Sequence, residues 1–271
     1  IQAAKSLSSR YNPKVGLIRS WDFGKWQYPV IIDGMMNLEL LFRATQESGD
    51  STYYKIALSH ARKTLKSHYR PDYSTYHVVD FDSLTGEIIH QGTHQGYHDT
   101  STWARGQSWG LYGWTMMFRE TGDSVFLRQA NQVADHLLNH ANLPADGIPY
   151  WDYDAPNIPD APRDVSSATI MASALVELSS YVDADRKSRY LEAVFRILNT
   201  LNQPAYKARS GANGGLLFYH SVAHLPENAE VDVGIIYADY YWLETMIRLR
   251  RLPDMKSFGT PPDPAPGVAS L

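Results

Sequence analysis

A helical hairpin recurs along the chain and constrains its fold more than any other feature. Each copy consists of an apolar helix, a Gly-Asp turn and a second helix with two alanines four residues apart. The turn is Gly49-Asp50 in the first copy and Gly122-Asp123 in the second, and a looser copy turns at residues 183–185. Gly suits the left-handed position after a helix, and Asp caps the helix that follows. The repeat predicts paired helices stacked side by side.

Within each hairpin the first helix is the more apolar, and the second carries charge on one face. This alternation predicts the inner and outer rings of an all-α toroid, with a linear helical array as the alternative. Residues 1–7 resemble the second helix of such a hairpin, so we expect earlier hairpins of the natural protein to precede the chain. We assign 1–258 to the toroid and expect 259–271, rich in Pro, Ala and Gly, to be a disordered tail.

Composition excludes several classes of partner. The net charge of −4 and pI of about 6.2 provide no general attraction for nucleic acid, and no apolar run reaches the length of a membrane span. The absence of cysteine excludes disulfides and thiolate metal sites. Aromatic residues make up 12% of the chain, which suits either a packed core or a sugar-binding cleft. The compartment, bacterial cytoplasm or periplasm, stays open.

Asp33 is the first candidate for chemistry. It follows three apolar residues, 30–32, where an inner helix is predicted to begin. A helix cap is the simple interpretation of such an aspartate. A carboxyl set among Ile and Met side chains would also be desolvated, and its raised pKa would suit a group that gives and takes a proton.

A second candidate lies in the segment 94–109. Three side chains suited to ligand binding lie near a predicted helix start: Trp103, Arg105 and Trp109. The two indoles could form the sides of a binding site, with the guanidinium between them. Indole faces suit sugar rings, and an Arg fork suits a carboxylate. Asp99, ahead of three hydroxyl residues, is predicted to cap this helix.

Histidines are scattered through the sequence at positions 77, 94, 98, 220 and 224. Their spacing matches no metal motif, so we predict no metal site and no cofactor, and expect hydrogen-bonding histidines along a polar cleft. Three long connections, 75–91, 145–163 and 207–226, are the candidate rim of that cleft. The first has the alternation of a β-hairpin around Gly86.

Several motifs, in one order, resemble the unsaturated glucuronyl hydrolases of glycoside hydrolase family 88. They are Asp33-Gly34-Met35-Met36-Asn37, Ser74-Thr75-Tyr76-His77, Trp103-Ala104-Arg105-Gly106-Gln107-Ser108-Trp109, the stretch 148–156 and Glu230-Val231-Asp232. The resemblance implies an (α/α)6 barrel. It also implies hydrolysis of 4,5-unsaturated uronic acid residues from the non-reducing end of oligosaccharides made by polysaccharide lyases, such as those from glycosaminoglycans.

By the same resemblance, Asp33 would be the catalytic acid and base. The residues that would bind the substrate are Trp21, His77, Gln95, Trp103, Arg105, Trp109 and Ser221. Ser221 lies in the segment associated with sulfation of the substrate, where Ala223 replaces an expected glycine. The family also has a second important aspartate near its N-terminus, for which neither Asp22 nor Asp99 fits as a substitute.

Two alternatives stay open at this point. An unsaturated rhamnogalacturonyl hydrolase would share the barrel and the chemistry, although the motifs fit the glucuronyl family better. A non-catalytic carbohydrate-binding toroid would keep the Trp walls and Arg105 but would not need a titrating Asp33. The sugar after the cleaved bond and the oligomeric state are not predicted.

Overall fold

The computed structural model describes residues 1–252. The end of the predicted toroid, 253–258, and the predicted tail, 259–271, lie outside the described residues. The helices are α1 (Gln2–Ser8), α2 (Leu38–Ser48), α3 (Ser51–Ser67), α4 (Ala104–Thr121), α5 (Ser124–Leu138), α6 (Val165–Leu178), α7 (Ala184–Leu201) and α8 (Ile236–Arg251).

The repeated turn has the predicted local structure. Gly49 and Gly122 adopt left-handed conformations with φ of 74° and 68°, directly after α2 and α4. The carboxylates of Asp50 and Asp123 then accept main-chain N–H bonds at the starts of α3 and α5. Asp183 caps α7 in the same way, so the third, looser copy is confirmed as well.

The predicted division into inner and outer helices is confirmed for the second and third hairpins, whereas α2, the first helix of the first hairpin, buries one face only. Nearly every residue of α4 and α6 is buried, whereas α3, α5 and α7 each bury one face only. Helix α6 packs between α4 and α8 and also contacts α7 on its outer side. A helix covered on all sides needs apolar or small residues throughout, which accounts for the contrast seen in the sequence.

Short antiparallel sheets join the helices. They comprise β1 (Tyr11–Asn12) with β2 (Leu17–Ile18), β3 (Pro29–Ile31) with β4 (Val78–Phe81) and β5 (Ile88–Gly92), and β6 (Ser221–His224) with β7 (Ala229–Val233). The pairing of β4 with β5 confirms the predicted hairpin in 75–91. Strand β3 leads directly into a 3-10 helix, Ile32–Asn37, which carries Asp33. Within residues 1–252, no helix combines the length and apolar character needed to cross a membrane.

Candidate active site

Asp33 is held close to α4 by a stripe of small residues on that helix. Gly106, Gly110 and Gly113 face the 3-10 helix, and a Cβ on Gly113 would lie only 2.5 Å from the Cβ of Met35. Only glycine allows the two segments to approach this closely. Asp33 lies inside the 3-10 helix, and the position before that helix has no side-chain cap, so the interpretation of Asp33 as a helix cap is wrong.

His77 reaches Asp33 through the pairing of β3 with β4. Ile31 pairs with Val78, and the next main-chain bond joins the N–H of Ile32 to the carbonyl of His77 at 3.0 Å. The Nε2 atom of His77 consequently lies 3.7 Å from Oδ2 of Asp33. Among the described residues, neither atom has a hydrogen-bond partner.

The surroundings of His77 determine its tautomer. Its Nδ1 atom accepts the main-chain N–H groups of His94 and Gln95, each at 3.2 Å. Because an N–H can only donate, Nδ1 must carry the lone pair, and the proton of the neutral ring lies on Nε2. Burial, together with the nearby charges of His94 and Arg105, lowers the pKa of His77 well below its usual value. The protonated nitrogen of a neutral imidazole therefore lies 3.7 Å from the Asp33 carboxyl, beyond hydrogen-bond distance.

The Asp33 carboxyl has the pKa of a group that can exchange a proton near neutral pH. Burial raises its pKa to about 6, against the opposing effects of the Arg105 charge and of hydrogen bonding from its own backbone and from Trp109. A quarter of the side chain is exposed. It borders a cavity of about 110 Å³ that is also lined by Ser20, Asn37 and His60, whereas none of the predicted substrate-binding residues lines it. A water molecule occupies about 30 Å³ of liquid, so this cavity has room for water.

Trp103 lies between His77 and Arg105. Its ring centroid is 4.3 Å from that of His77, and the Arg105 guanidinium lies over the indole at 4.7 Å. Arg105 is itself buried and paired with the fully buried Asp164 at 3.2 Å. It also donates to the carbonyl oxygens of Val222 and Ala223 in β6. Arg105 therefore ties β6 to the start of α6, and its predicted contact with a substrate carboxylate stays a prediction.

Trp109 forms an aromatic wall together with helix α8. Its ring meets Tyr237 and Tyr241 edge-on, at centroid distances of 6.0 and 5.3 Å. Tyr237 also lies 6.0 Å from the Arg105 guanidinium and is substantially exposed. Sequence reasoning missed Tyr237 and Tyr241, because nothing in a helix near the end of the chain indicates that it faces a motif 130 residues earlier.

The remaining predicted residues lie around the same region. Trp21 contacts the His94 ring at 5.6 Å, and its indole nitrogen is buried with no partner among the described residues. The side-chain amide of Gln95 donates to the carbonyl of Ala223 at 2.8 Å. Ser221 is fully buried and accepts the main-chain N–H of Ser166 at the start of α6. The contribution of these residues to substrate binding also stays a prediction.

Two aspartates differ from the sequence prediction in whether they cap a helix. Asp99 does not cap α4, because the residue before that helix is Trp103 and makes no side-chain cap. Asp99 instead accepts the main-chain N–H of Thr93 and pairs with His90. Asp164, which sequence reasoning missed, caps α6 by accepting from Ser166 and holds Arg105. The available signal was its position between a Pro-rich loop and a long apolar run, the pattern of a helix start.

The paired helices, together with a carboxyl next to aromatic walls at their ends, define a helical-toroid protein of the glycoside hydrolase type. No protein-family profile matches the chain. The unsaturated glucuronyl hydrolase of Formosa agariphila is 49% identical over 254 residues, which are 93% of this chain and 63% of the relative. The enzyme of that name from a Bacillus species is 35% identical over 93% of this chain and 67% of the relative.

A solved structure is similar over the same region. The crystal structure of an unsaturated glucuronyl hydrolase specific for heparin superposes with a TM-score of 0.89 at 45% identity, covering 93% of this chain and 68% of that one. The chain belongs to the unsaturated glucuronyl hydrolases, glycoside hydrolase family 88. Its fold is the all-α toroid of that family. The chain spans about two thirds of the length of these relatives.

Proposed function

We propose that the protein containing this chain hydrolyses 4,5-unsaturated uronic acid residues from the non-reducing end of oligosaccharides produced by glycosaminoglycan lyases. The observation that carries the proposal is the Asp33 carboxyl, with its pKa of about 6, next to the neutral imidazole of His77 and a cavity with room for water. A group of this pKa is suited to act first as an acid and then as a base near neutral pH.

The reaction proceeds by hydration of a vinyl ether. Asp33 gives its proton to C4 of the C4=C5 double bond, and positive charge develops at C5 and the ring oxygen. The Asp33 carboxylate then takes a proton from a water molecule, whose oxygen forms a bond to C5. The hemiketal so formed opens and releases the remaining sugar, and Asp33 has regained its proton. No second carboxylate is needed to displace the anomeric oxygen, in contrast to ordinary glycosidases.

His77 is positioned to control this proton exchange. Its protonated Nε2 lies 3.7 Å from Oδ2 of Asp33, so a small movement would form a hydrogen bond that stabilises the carboxylate formed after the first step. The main-chain N–H groups of His94 and Gln95 hold the ring in this tautomer. Trp103, tilted against the ring, and Trp109, on the side of α8, are 2% and 7% exposed. We expect the edges of these two indoles, rather than open faces, to contact the apolar face of the sugar.

The substrate is expected to be an unsaturated glucuronyl rather than a rhamnogalacturonyl oligosaccharide. The relatives named above are unsaturated glucuronyl hydrolases, and one solved structure is described as specific for heparin. The natural protein should therefore be offered unsaturated disaccharides from heparin, from chondroitin and from rhamnogalacturonan, and the ultraviolet absorbance of the C4=C5 bond followed. We expect the absorbance to fall with a glycosaminoglycan disaccharide.

The decisive variant is Asp33→Asn, which keeps the shape of the side chain and removes its proton exchange. We expect turnover to fall by about a thousandfold or more, with substrate binding still measurable by calorimetry. Asp22→Asn is the matched control, because Asp22 is an exposed carboxylate in a surface ion pair with Arg19. Near wild-type turnover by Asp33→Asn would refute the proposed role of Asp33. Binding without turnover by the natural protein would favour the non-catalytic alternative.

A further inference from the structure

The fold brings together three metal-binding side chains at the rim of the candidate site. His94 follows β5, His224 ends β6, and Glu227 lies in the 3-10 turn Leu225–Glu227. One possible ligand atom from each residue can be chosen so that all three atoms lie within 4.8 Å of one another. Two imidazoles and one carboxylate form a ligand set common to zinc sites that keep a fourth position open.

The orientation of His224 favours ligation over a simple contact between the two rings. Its Nε2 atom lies 2.8 Å from the main-chain carbonyl oxygen of His94. A carbonyl can only accept, so Nε2 carries the proton and Nδ1 carries the lone pair. That Nδ1 atom lies 3.7 Å from Oε2 of Glu227. Histidines that bind metals usually donate their other ring N–H to a carbonyl or carboxylate in this way.

The two histidines are also held in place before any ion binds. Their ring centroids are 4.6 Å apart, and the His94 ring rests against Trp21. The Gln95 amide bonds to the carbonyl of Ala223, which joins the two segments directly beside the histidines. Glu227 is two-thirds exposed, so its side chain can rotate to close the ligand distances to the roughly 2.0–2.2 Å that zinc requires.

Although the spacing of the histidines in the sequence predicted no metal site, we infer from their positions in the fold that His94, His224 and Glu227 form a binding site for a divalent transition-metal ion of the Zn²⁺ class. Two neutral nitrogens and a carboxylate favour Zn²⁺, Co²⁺ or Ni²⁺ over Mg²⁺ and Ca²⁺, which prefer oxygen ligands only. The site goes beyond the proposed function and does not depend on it. The ion would lie beside Trp21 and Gln95, at the entrance to the candidate active site, rather than at Asp33.

The test is titration of the natural protein, free of any affinity tag and stripped with a chelator, with Zn²⁺ in a calorimeter. We expect one ion to bind, and His224→Ala and Glu227→Gln each to weaken its binding by about tenfold or more. His98→Ala is the matched control, since His98 is an exposed histidine four residues from His94 and outside the cluster. It should leave the affinity unchanged.

A second measurement uses Co²⁺, whose visible absorption reports its coordination. Intense bands of tetrahedral Co²⁺ should form in the wild type and in His98→Ala, and should be lost in Glu227→Gln. Glu227 lies on an exposed turn, so this variant keeps the test valid if His224→Ala fails to fold. Absence of Zn²⁺ binding, or equal affinity in the wild type and Glu227→Gln, would overturn the inference. Neither result would affect the proposed hydrolysis.

Discussion

The Nε2 atom of His77 and the Oδ2 atom of Asp33 lie 3.7 Å apart, and among the described residues neither has a hydrogen-bond partner. Buried polar atoms without partners are costly, so the presence of two such atoms side by side calls for a reason. A carboxyl that must release and recover a proton cannot be saturated with donors, because each donor would stabilise its charged form and lower its pKa.

The pH dependence of turnover should follow Asp33. In the proposed mechanism the free protein must carry a protonated Asp33, and the protonated fraction falls as pH rises through its pKa of about 6. We therefore expect kcat/KM to decrease about tenfold per pH unit well above pH 6. Initial rates with an unsaturated disaccharide, measured at low substrate across the pH range in which the protein is folded, test this. A flat profile up to about pH 8 would contradict the assignment.

Protein stability should also depend on the ionisation of Asp33. Its pKa is 3.8 in the unfolded chain and about 6 in the folded protein, so the folded state holds this proton more tightly. The stabilising contribution is complete below about pH 4 and is lost as pH rises through 6. Asp33→Asn removes this titration. Between low pH and pH values above 6, the free energy of unfolding of Asp33→Asn should therefore increase relative to that of the wild type, by at most about 3 kcal/mol.

This difference is measured by urea unfolding of both proteins at several pH values. The gain of Asp33→Asn over the wild type should grow from pH 4 to pH 7. Asp22→Asn, at an exposed site, should show no such growth. A constant offset between wild type and Asp33→Asn across the range would show that the Asp33 pKa is not raised by folding.

Arg105 should contribute to the stability of the folded protein as well as to substrate binding. Removing it leaves the fully buried Asp164 carboxylate without its cation. It also leaves the carbonyl oxygens of Val222 and Ala223 without the hydrogen bonds that Arg105 donates. Arg105→Ala should therefore lower the free energy of unfolding by about 3–5 kcal/mol. Arg43→Ala, which breaks an exposed pair with Glu47, should cost less than about 1 kcal/mol. If Arg105→Ala only raised KM and unfolded like the wild type, Arg105 would act on the substrate alone.

The close approach of α4 to the 3-10 helix can be tested at Gly113. Alanine usually stabilises a helix relative to glycine by about 1 kcal/mol. At this position its Cβ would meet that of Met35 at 2.5 Å, so Gly113→Ala should instead destabilise the protein by about 1–3 kcal/mol.

A double-mutant cycle with Met35→Gly provides the control. Since Met35→Gly removes the Cβ that the added methyl group would meet, it should reduce the cost of Gly113→Ala. Unfolding curves of the four proteins give the coupling energy. Costs that simply add would mean that the two segments have room to move apart, and Asp33 would then not be held by this contact.

The sequence by itself determined the repeated hairpins, their capped turns and their division into inner and outer helices. These features depend on neighbours within a few residues, such as Gly49 followed by Asp50, or on the apolar character of one helix. The motifs around Asp33 and Trp103 were likewise sufficient to indicate the family, and desolvation of Asp33 was predicted from its Ile and Met neighbours. These local features could therefore be predicted without knowledge of the tertiary structure.

Only the tertiary structure decided which distant side chains meet. The contact between Asp33 and His77 depends on the register of β3 with β4, and the pairing of Arg105 with Asp164 depends on the packing of α4 beside α6. His94 and His224, 130 residues apart, come together because the segment after β5 contacts strand β6. Such contacts are set by packing between elements, and a pattern along a single sequence does not record which elements are neighbours.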